Sequence, residues 1–348
     1  MLDSILILFL LITIIIILLY ILTINVFQSI EINEISNKCI IITGCDTGFG
    51  KEIAIKANDK GFIVFACCLT KVGVNDFERI NKRIIPYHLD ITNEENVDNM
   101  INFVMDVINK SKSWKLHALI NNASIFGAYG PDDWTTLDNY ADSINVNVIG
   151  TIRVIHKVKE HLKKSNGRII TMSSCVSNTI LPYAGPYNVS KRAIEGYMDT
   201  LRLEMKNFNV MCVVIQPSCY KTEMLHKLAI CKRIEEAWNK ISLEMKAYYQ
   251  RDILVNFKEE YFKFIDKNAS KRLEEVTNCY MKALSSKYPK PRYQVGLKSQ
   301  TILKWLSLIP TSWSDVLVYQ LAMKTLENIL HSNYKKKDTN NHLLKEEV

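Results

Sequence analysis

Four side chains of this 348-residue chain stand at spacings that suit proton transfer. Tyr187 and Lys191 are four residues apart in Tyr187-Asn188-Val189-Ser190-Lys191, which on a helix places them on one face. A free phenol titrates near about 10, and a fixed positive charge beside it favours the phenolate, so the pair suits a general acid/base. Alone, this spacing is common by chance and reads equally as an ordinary surface pair. Ser174, thirteen residues earlier at the end of an expected strand, adds a hydroxyl, and Asn147 in Asn145-Val146-Asn147 adds an amide.

A second constellation suits a dinucleotide. An apolar run ends in Gly44-Cys45-Asp46-Thr47-Gly48-Phe49-Gly50 and leads into a helical pattern. Glycines there let the backbone approach a pyrophosphate, and the helix N-terminus offers N–H groups and partial positive charge. Glycines punctuate many strand-to-helix turns, so position at the head of a βαβ unit is what gives these weight. The second strand ends in Cys67-Cys68-Leu69 with no carboxylate to select between the two nicotinamide cofactors, and Lys71 lies nearby. Asp46 in the glycine turn repels an extra phosphate, which favours NAD and keeps NADP as the alternative. Asp90, closing the third strand, could accept from an adenine or cap the helix that follows.

The elements that must position these residues alternate. Short β-branched runs at 39–43, 62–69, 84–89, 117–121, 168–173 and 210–216 are separated by helical patterns at 51–60, 94–110, 138–164 and 187–206. Six such strands predict an α/β fold with a doubly wound parallel sheet, a Rossmann fold, over 38–296. After Pro217 a helical insertion at 221–285 carries Trp238, Tyr248, Tyr249, Phe257, Tyr261, Phe262 and Phe264. Such a stripe usually packs helices together. As a whole the segment is placed to cover the carboxyl ends of the strands, where ligands bind in open sheets.

The ends differ in character. Residues 5–27 are apolar apart from Thr13, Tyr20, Thr23 and Asn25, enough for a bilayer core, which takes about 20 helical residues. A cleaved signal peptide has a shorter apolar run of about 7–15 residues after a basic stretch; here Asp3 is the only charge before the run, so residues 1–30 read as an uncleaved transmembrane anchor. Residues 297–348 read as a C-terminal helical cap or interfacial helix followed by a basic, solvated tail at Lys335, Lys336 and Lys337. The nine cysteines form no CxxC pair and no His stands at ligand spacing, so neither a metal site nor a disulfide framework is expected. No basic stripe interleaved with aromatics points to nucleic acid.

Together, the glycine turn at 44–50, Asn121-Asn122-Ala123, Asn147, Ser174 and the Tyr187/Lys191 pair resemble the short-chain dehydrogenase/reductase family over residues 38–296. "TGCDTGFG", "GFIVFACCL", "RLEM" and the long insertion resemble the branch of 17-beta-hydroxysteroid, retinol and 3-hydroxybutyrate dehydrogenases. The resemblance implies that Tyr187 exchanges the proton, Ser174 holds the substrate oxygen, Lys191 lowers the Tyr187 pKa and binds the ribose, and Asn147 steadies a proton path behind the lysine. It implies cofactor contacts from Gly44, Asp46, Thr47, Gly48, Phe49, Gly50, Asp90, Asn121, Ala123, Tyr187, Lys191 and Pro217, and suggests a homodimer. Two departures, Ser124 and Ser218, replace glycines of the pattern, and positive φ at either would disturb the cofactor site. Sequons at Asn122 and Asn188 fall inside the site motifs and read as chance; Asn268 is the one plausible acceptor, in a lumenal protein.

The expected function is hydride transfer between a nicotinamide cofactor and a lipophilic alcohol or ketone of the steroid or retinoid class, at the endoplasmic reticulum or alternatively a mitochondrial membrane. A small hydroxy acid dehydrogenase would instead show a substrate-facing cation from Lys221, Lys227 or Arg292. An inactive, membrane-tethered nucleotide-binding scaffold is the reading from another class.

Overall fold

Runs of β-branched residues covered on both faces build the centre of the molecule. The computed structural model describes residues 2–80 and 83–320. Its strands are β1 (Lys38–Thr43), β2 (Ile63–Cys68), β3 (Ile84–His88), β4 (Lys115–Asn121), β5 (Arg168–Met172), β6 (Met211–Pro217) and β7 (Arg292–Val295). All pair in parallel in the order β3-β2-β1-β4-β5-β6-β7. The order reverses between β1 and β4, and there the connections diverge into a crevice at the carboxyl ends.

The helices are α1 (Leu2–Ser29), α2 (Gly48–Asp59), α3 (Lys71–Glu78), α4 (Glu94–Asn109), α5 (Leu137–Ile144), α6 (Thr151–Ser165), α7 (Gly185–Met205), α8 (Lys227–Lys240), α9 (Leu243–Asn268) and α10 (Glu274–Ser285). Strand side chains alternate between two cores. Ile40, Ile42, Val64 and Ile120 meet Ile53 and Ala57 of α2 and Tyr280 and Leu284 of α10 on one face. Ile41, Phe65 and Leu119 meet Val104 of α4, Val158 of α6 and Met198 of α7 on the other.

Three expectations are corrected. The sheet has seven strands, not six: β7 is four residues long and follows Pro289 and Pro291, too brief to stand out in the sequence. The helix expected at 138–164 is interrupted by a π-helical segment, Asn145–Gly150, between α5 and α6. The insertion expected to cover the site over 221–285 divides: α8 and α9 build a separate aromatic cluster, whereas α10 packs its buried Val276, Tyr280 and Leu284 into the sheet core beside α2. Helix α9 itself breaks at Gln250, whose φ of 60° lies outside the helical region.

The N-terminus, residues 1–30, carried the expectation of a membrane anchor. Leu2–Ser29 is one continuous helix of 28 residues. Among the described residues no helix is long and apolar enough to cross a membrane, so a transmembrane helix is not shown. The segment that follows is stitched to the domain by Ile32 N to Ser285 O at 2.8 Å, Lys287 N to Ile30 O at 2.7 Å and the Lys60–Glu31 ion pair at 2.5 Å. Beyond β7 come three short helices, α11 (Leu297–Gln300), α12 (Ile302–Leu306) and α13 (Thr311–Val318). The basic stretch at Lys335–337 lies outside the described residues.

At the amino ends of the strands, His117 is buried, stacks on Phe62 at 5.9 Å and donates from Nε2 to Leu284 O at 3.0 Å. A carbonyl only accepts, so the neutral Nε2–H tautomer is the one that fits. Burial, reinforced by Arg168, pushes its pKa down to about 3. Between that value and the ordinary one of about 6.5 the unfolded chain binds the extra proton, so stability is full above 6.5 and is lost as pH falls toward 3. Thermal melts between pH 7 and 4 are expected to show a falling Tm whose slope becomes shallower in His117→Gln.

Candidate active site

The turn after β1 is shaped by contacts that only glycine permits. Gly44 has φ of +71°, and a Cβ there would stand 2.7 Å from Ala123 Cα. Gly50 has an ordinary φ, but its Cβ would stand 2.1 Å from Gly44 O and 2.5 Å from Asn122 Nδ2. The Asn122 amide donates to Thr43 O at 3.0 Å and Gly44 O at 2.9 Å, and Thr43 Oγ1 accepts from the N–H groups of Asn122 and Ala123, both at 3.1 Å. The β1 turn and the β4 end are thereby locked together. No side chain caps the N-terminus of α2 at Thr47, which leaves the N–H groups of that 12-residue helix facing the crevice. The donor set fits a pyrophosphate.

Asp46 closes the other side. Its Oδ2 accepts from Leu69 N at 2.8 Å and its Oδ1 from Thr70 N at 2.8 Å and Thr70 Oγ1 at 2.6 Å. The carboxylate thus pins the turn after β2, where an adenosine ribose would lie. Asp90 accepts from Thr92 N at 2.8 Å and Thr92 Oγ1 at 2.7 Å. The cap of α4 is Asn93, not Asp90.

The catalytic candidates come from three elements. Tyr187 and Lys191 lie in the first turns of α7, and Ser174 is the second residue after β5. Burial holds the Tyr187 pKa above its ordinary value, with the neighbouring Ser174 hydroxyl pulling the other way. Lys191 is 2% exposed and donates from Nζ to Met172 O at 3.2 Å. Burial brings its pKa down to about 8, with Glu195 pulling the other way. The expected downward pull of Lys191 on Tyr187 is therefore not what dominates here: the ammonium points at a carbonyl, 5.5 Å from the ring centroid, and desolvation of the phenol prevails.

Asn147 sits in the π-helical segment, an arrangement that recurs at functional sites. The wider turn aims its amide between the loop after β4 and helix α7: Nδ2 donates to Ile125 O and to Ser190 Oγ, both at 2.9 Å, while Oδ1 accepts from Ile125 N at 2.8 Å and Ser124 Oγ at 3.0 Å. Ser190 in turn donates to Tyr187 O at 2.9 Å. Ser124, the departure from glycine, is thus a working partner of Asn147. Neither Ser124 nor Ser218 has positive φ. Room for Ser218 is made by Gly296, where a Cβ would meet Ser218 Oγ at 2.2 Å.

One cavity of about 1040 Å³ joins these parts. Gly44, Asp46, Thr47, Gly48, Phe49, Asp90, Ala123, Ser174, Tyr187, Lys191 and Pro217 all line it. Three expected residues do not. Gly50 serves the packing of α2 on the turn, Asn147 stands behind the Ser190 hydroxyl, and Asn121 is turned into the sheet with Nδ2 on Thr171 Oγ1 at 3.2 Å. Asn122, Ser124 and Ser190 were missed as contributors. All three lie within the quoted motifs or departures, but only their partners' positions reveal what they do. The far wall is aromatic and aliphatic: Phe126, Tyr129, Phe257 and Tyr261 with Leu303 and Leu306 of α12.

Gly50→Ala is expected to cost about 1–3 kcal/mol by forcing α2 off the turn. Calorimetry would read this as a lower Tm, and dinucleotide affinity measured by tryptophan fluorescence would fall with it.

The family model described as short chain dehydrogenase matches residues 38–232. The chain is 38% identical over 289 residues to the 3beta-hydroxysteroid dehydrogenase dhs-16 of Caenorhabditis elegans, covering 81% of this chain and 74% of that protein. It is 29% identical over 294 residues to retinol dehydrogenase 16 of Mus musculus, covering 84% and 91%. A short-chain dehydrogenase/reductase from Burkholderia phymatum, solved in complex with NAD, shares the fold with a TM-score of 0.65 at 18% identity, over 82% of this chain and 97% of that one. With the phenol, the lysine, the serine and the glycine turn gathered at the carboxyl edge of this sheet, and with these matches over most of its length, the chain belongs to the short-chain dehydrogenase family.

Proposed function

We propose that this oxidoreductase is a membrane-anchored, NAD-linked dehydrogenase of a lipophilic secondary or allylic alcohol, of the steroid or retinoid class. The observation that carries the reading is the single cavity in which Tyr187 and Ser174 face a wall of Phe126, Tyr129, Phe257, Tyr261, Leu303 and Leu306. A large, mostly apolar pocket with a few convergent polar groups suits a bulky substrate with one reacting oxygen. The steroid and retinol dehydrogenases among the relatives support the same class. The small hydroxy acid reading lacks its cation. Lys221 and Lys227 pair with Asp266, and Arg292 pairs with Glu195 and Asp199. Lys263 and Lys267 do line the cavity, but both are exposed and Lys263 already pairs with Glu260 at 2.7 Å.

NAD is favoured by Asp46, whose negative charge stands beside the end of β2, and by the absence of Lys71 from the described cavity lining. The glycine turn and the α2 N-terminus would hold the pyrophosphate, and Lys191 the ribose. When bound, the nicotinamide supplies or accepts the hydride. Ser174 then fixes the substrate oxygen, and Tyr187 gives it a proton in reduction or takes one in oxidation. Because burial holds the Tyr187 proton, oxidation should quicken as pH rises. The anchor rests on the uncharged run at 5–27. An anchor would keep the enzyme beside substrates that partition into membranes.

The test follows nicotinamide absorbance in membranes carrying wild-type or Tyr187→Phe protein, with NAD or NADP and a panel of steroid alcohols, retinol and 3-hydroxybutyrate. Turnover of a lipophilic alcohol with NAD is expected, reduced roughly 10²- to 10⁴-fold by the substitution with dinucleotide binding intact. Preference for 3-hydroxybutyrate, or no turnover across the panel while the dinucleotide binds, would overturn the reading.

A further inference from the structure

One turn beyond Lys191 on α7 lies Glu195, a carboxylate 7% exposed that the proton transfer itself does not use. Its Oε1 accepts from Gln216 Nε2 of β6 at 2.7 Å and lies against Ser177 Oγ. Ser177 Oγ accepts from Gln216 Nε2 at 3.0 Å and is 2.7 Å from Ser174 O, so its single proton is shared between that carbonyl and Glu195. The other oxygen, Oε2, meets Arg292 Nη2 of β7 at 3.2 Å, and the same nitrogen reaches Asp199 Oδ2 at 3.0 Å. One buried carboxylate therefore ties together the loop carrying Ser174, the helix carrying Lys191 and the two last strands of the sheet.

We propose that Glu195 is a positioning residue of the active site: it fastens the Ser174 loop to α7 and supplies the negative charge that keeps buried Lys191 an ammonium, while Arg292 on β7 sets how much of that charge Lys191 feels. The proposal rests on the dehydrogenase reading of Tyr187 and Lys191. The charged and titratable groups around the pair are Tyr187, Asp199 and Arg202 on α7, Cys175 in the loop after β5, Cys219 just after β6 and Arg292 on β7; β6 itself contributes uncharged Gln216. Among the described residues none but Glu195 offers Lys191 a buried negative charge: Asp199 is half-exposed and committed to Arg202 and Arg292. An ammonium without a countercharge in such surroundings would shed its proton. Consistently, burial lowers the Lys191 pKa and Glu195 is the group that opposes it.

Opposite responses of two variants separate this role from a structural one. Lys191 lines the cavity, so trace acetylation by acetic anhydride, read by mass spectrometry across pH on the full-length protein, follows its free amine without requiring turnover. Glu195→Gln is expected to move the midpoint down by about one pH unit, and Arg292→Gln, which leaves the Glu195 charge unshared, to move it up. The alkaline limb of alcohol turnover should move in the same two senses, with Glu195→Asp recovering part of the first shift. A midpoint unmoved in either folded variant, or moved the same way in both, overturns the proposal. Should Glu195→Gln fail to fold, the direction of the Arg292→Gln shift decides alone. Shifted midpoints in a protein that turns over no alcohol would uphold the ionisation role and defeat the dehydrogenase reading.

Discussion

The site depends on burying one ammonium. Removing a charge from water is unfavourable unless hydrogen bonds and a countercharge replace hydration, and Lys191 receives Met172 O directly and Glu195 one turn away on its own helix. Both supports need α7 pressed against β5 and β6 with one face inward. That face is continuous: Ser190, Lys191, Ile194, Glu195, Met198, Leu201 and Met205 are all buried. Its apolar members fill the core above the sheet, so the packing that stabilises the fold also holds the polar members in register. Losing one supporting contact leaves a buried charge unmatched, and for that reason the residues around Lys191 are more constrained than their modest number of hydrogen bonds suggests.

A second constraint comes from the crevice between β1 and β4. The connections leaving the two strands diverge there, and Asn122 spans the gap by donating to Thr43 O at the end of β1 and to Gly44 O in the glycine turn. From that anchor the chain reaches Ser124 and Asn147, then Ser190 and the backbone of Tyr187. Cofactor turn and acid/base are thereby joined by hydrogen bonds and the short backbone step from Asn122 to Ser124, and the π-helical turn at Asn145–Gly150 is what lets an amide on a helix enter the path. A regular helix would carry that side chain elsewhere on its face.

Above the sheet, α8 and α9 form their own apolar layer. Trp134, fully buried, is met edge-on by Trp238, Tyr249 and Phe257 at centroid separations of 5.1 to 5.5 Å. The aromatic stripe is thus divided in its work. Trp238 and Tyr249 hold the layer in place, and Phe257 and Tyr261 also face the cavity. The same physical property, apolar area with a fixed ring geometry, serves packing at one end of α9 and substrate space at the other.

What the sequence by itself determined is local. Continuous β-branched runs marked the first six strands, helical patterns marked the main helices, glycine spacing marked the turn after β1, and the four-residue step marked Tyr187 and Lys191. Each depends on neighbours within a few positions, which is why each was legible. Only the tertiary structure decided that Glu195 meets Arg292, that Ser124 serves Asn147, that Asn121 turns into the sheet, and that α10 belongs to the core and not to the layer over the site. Those outcomes follow from the order in which strands lie side by side. Strand order is fixed by how whole faces bury against one another, and no spacing within a single segment records it.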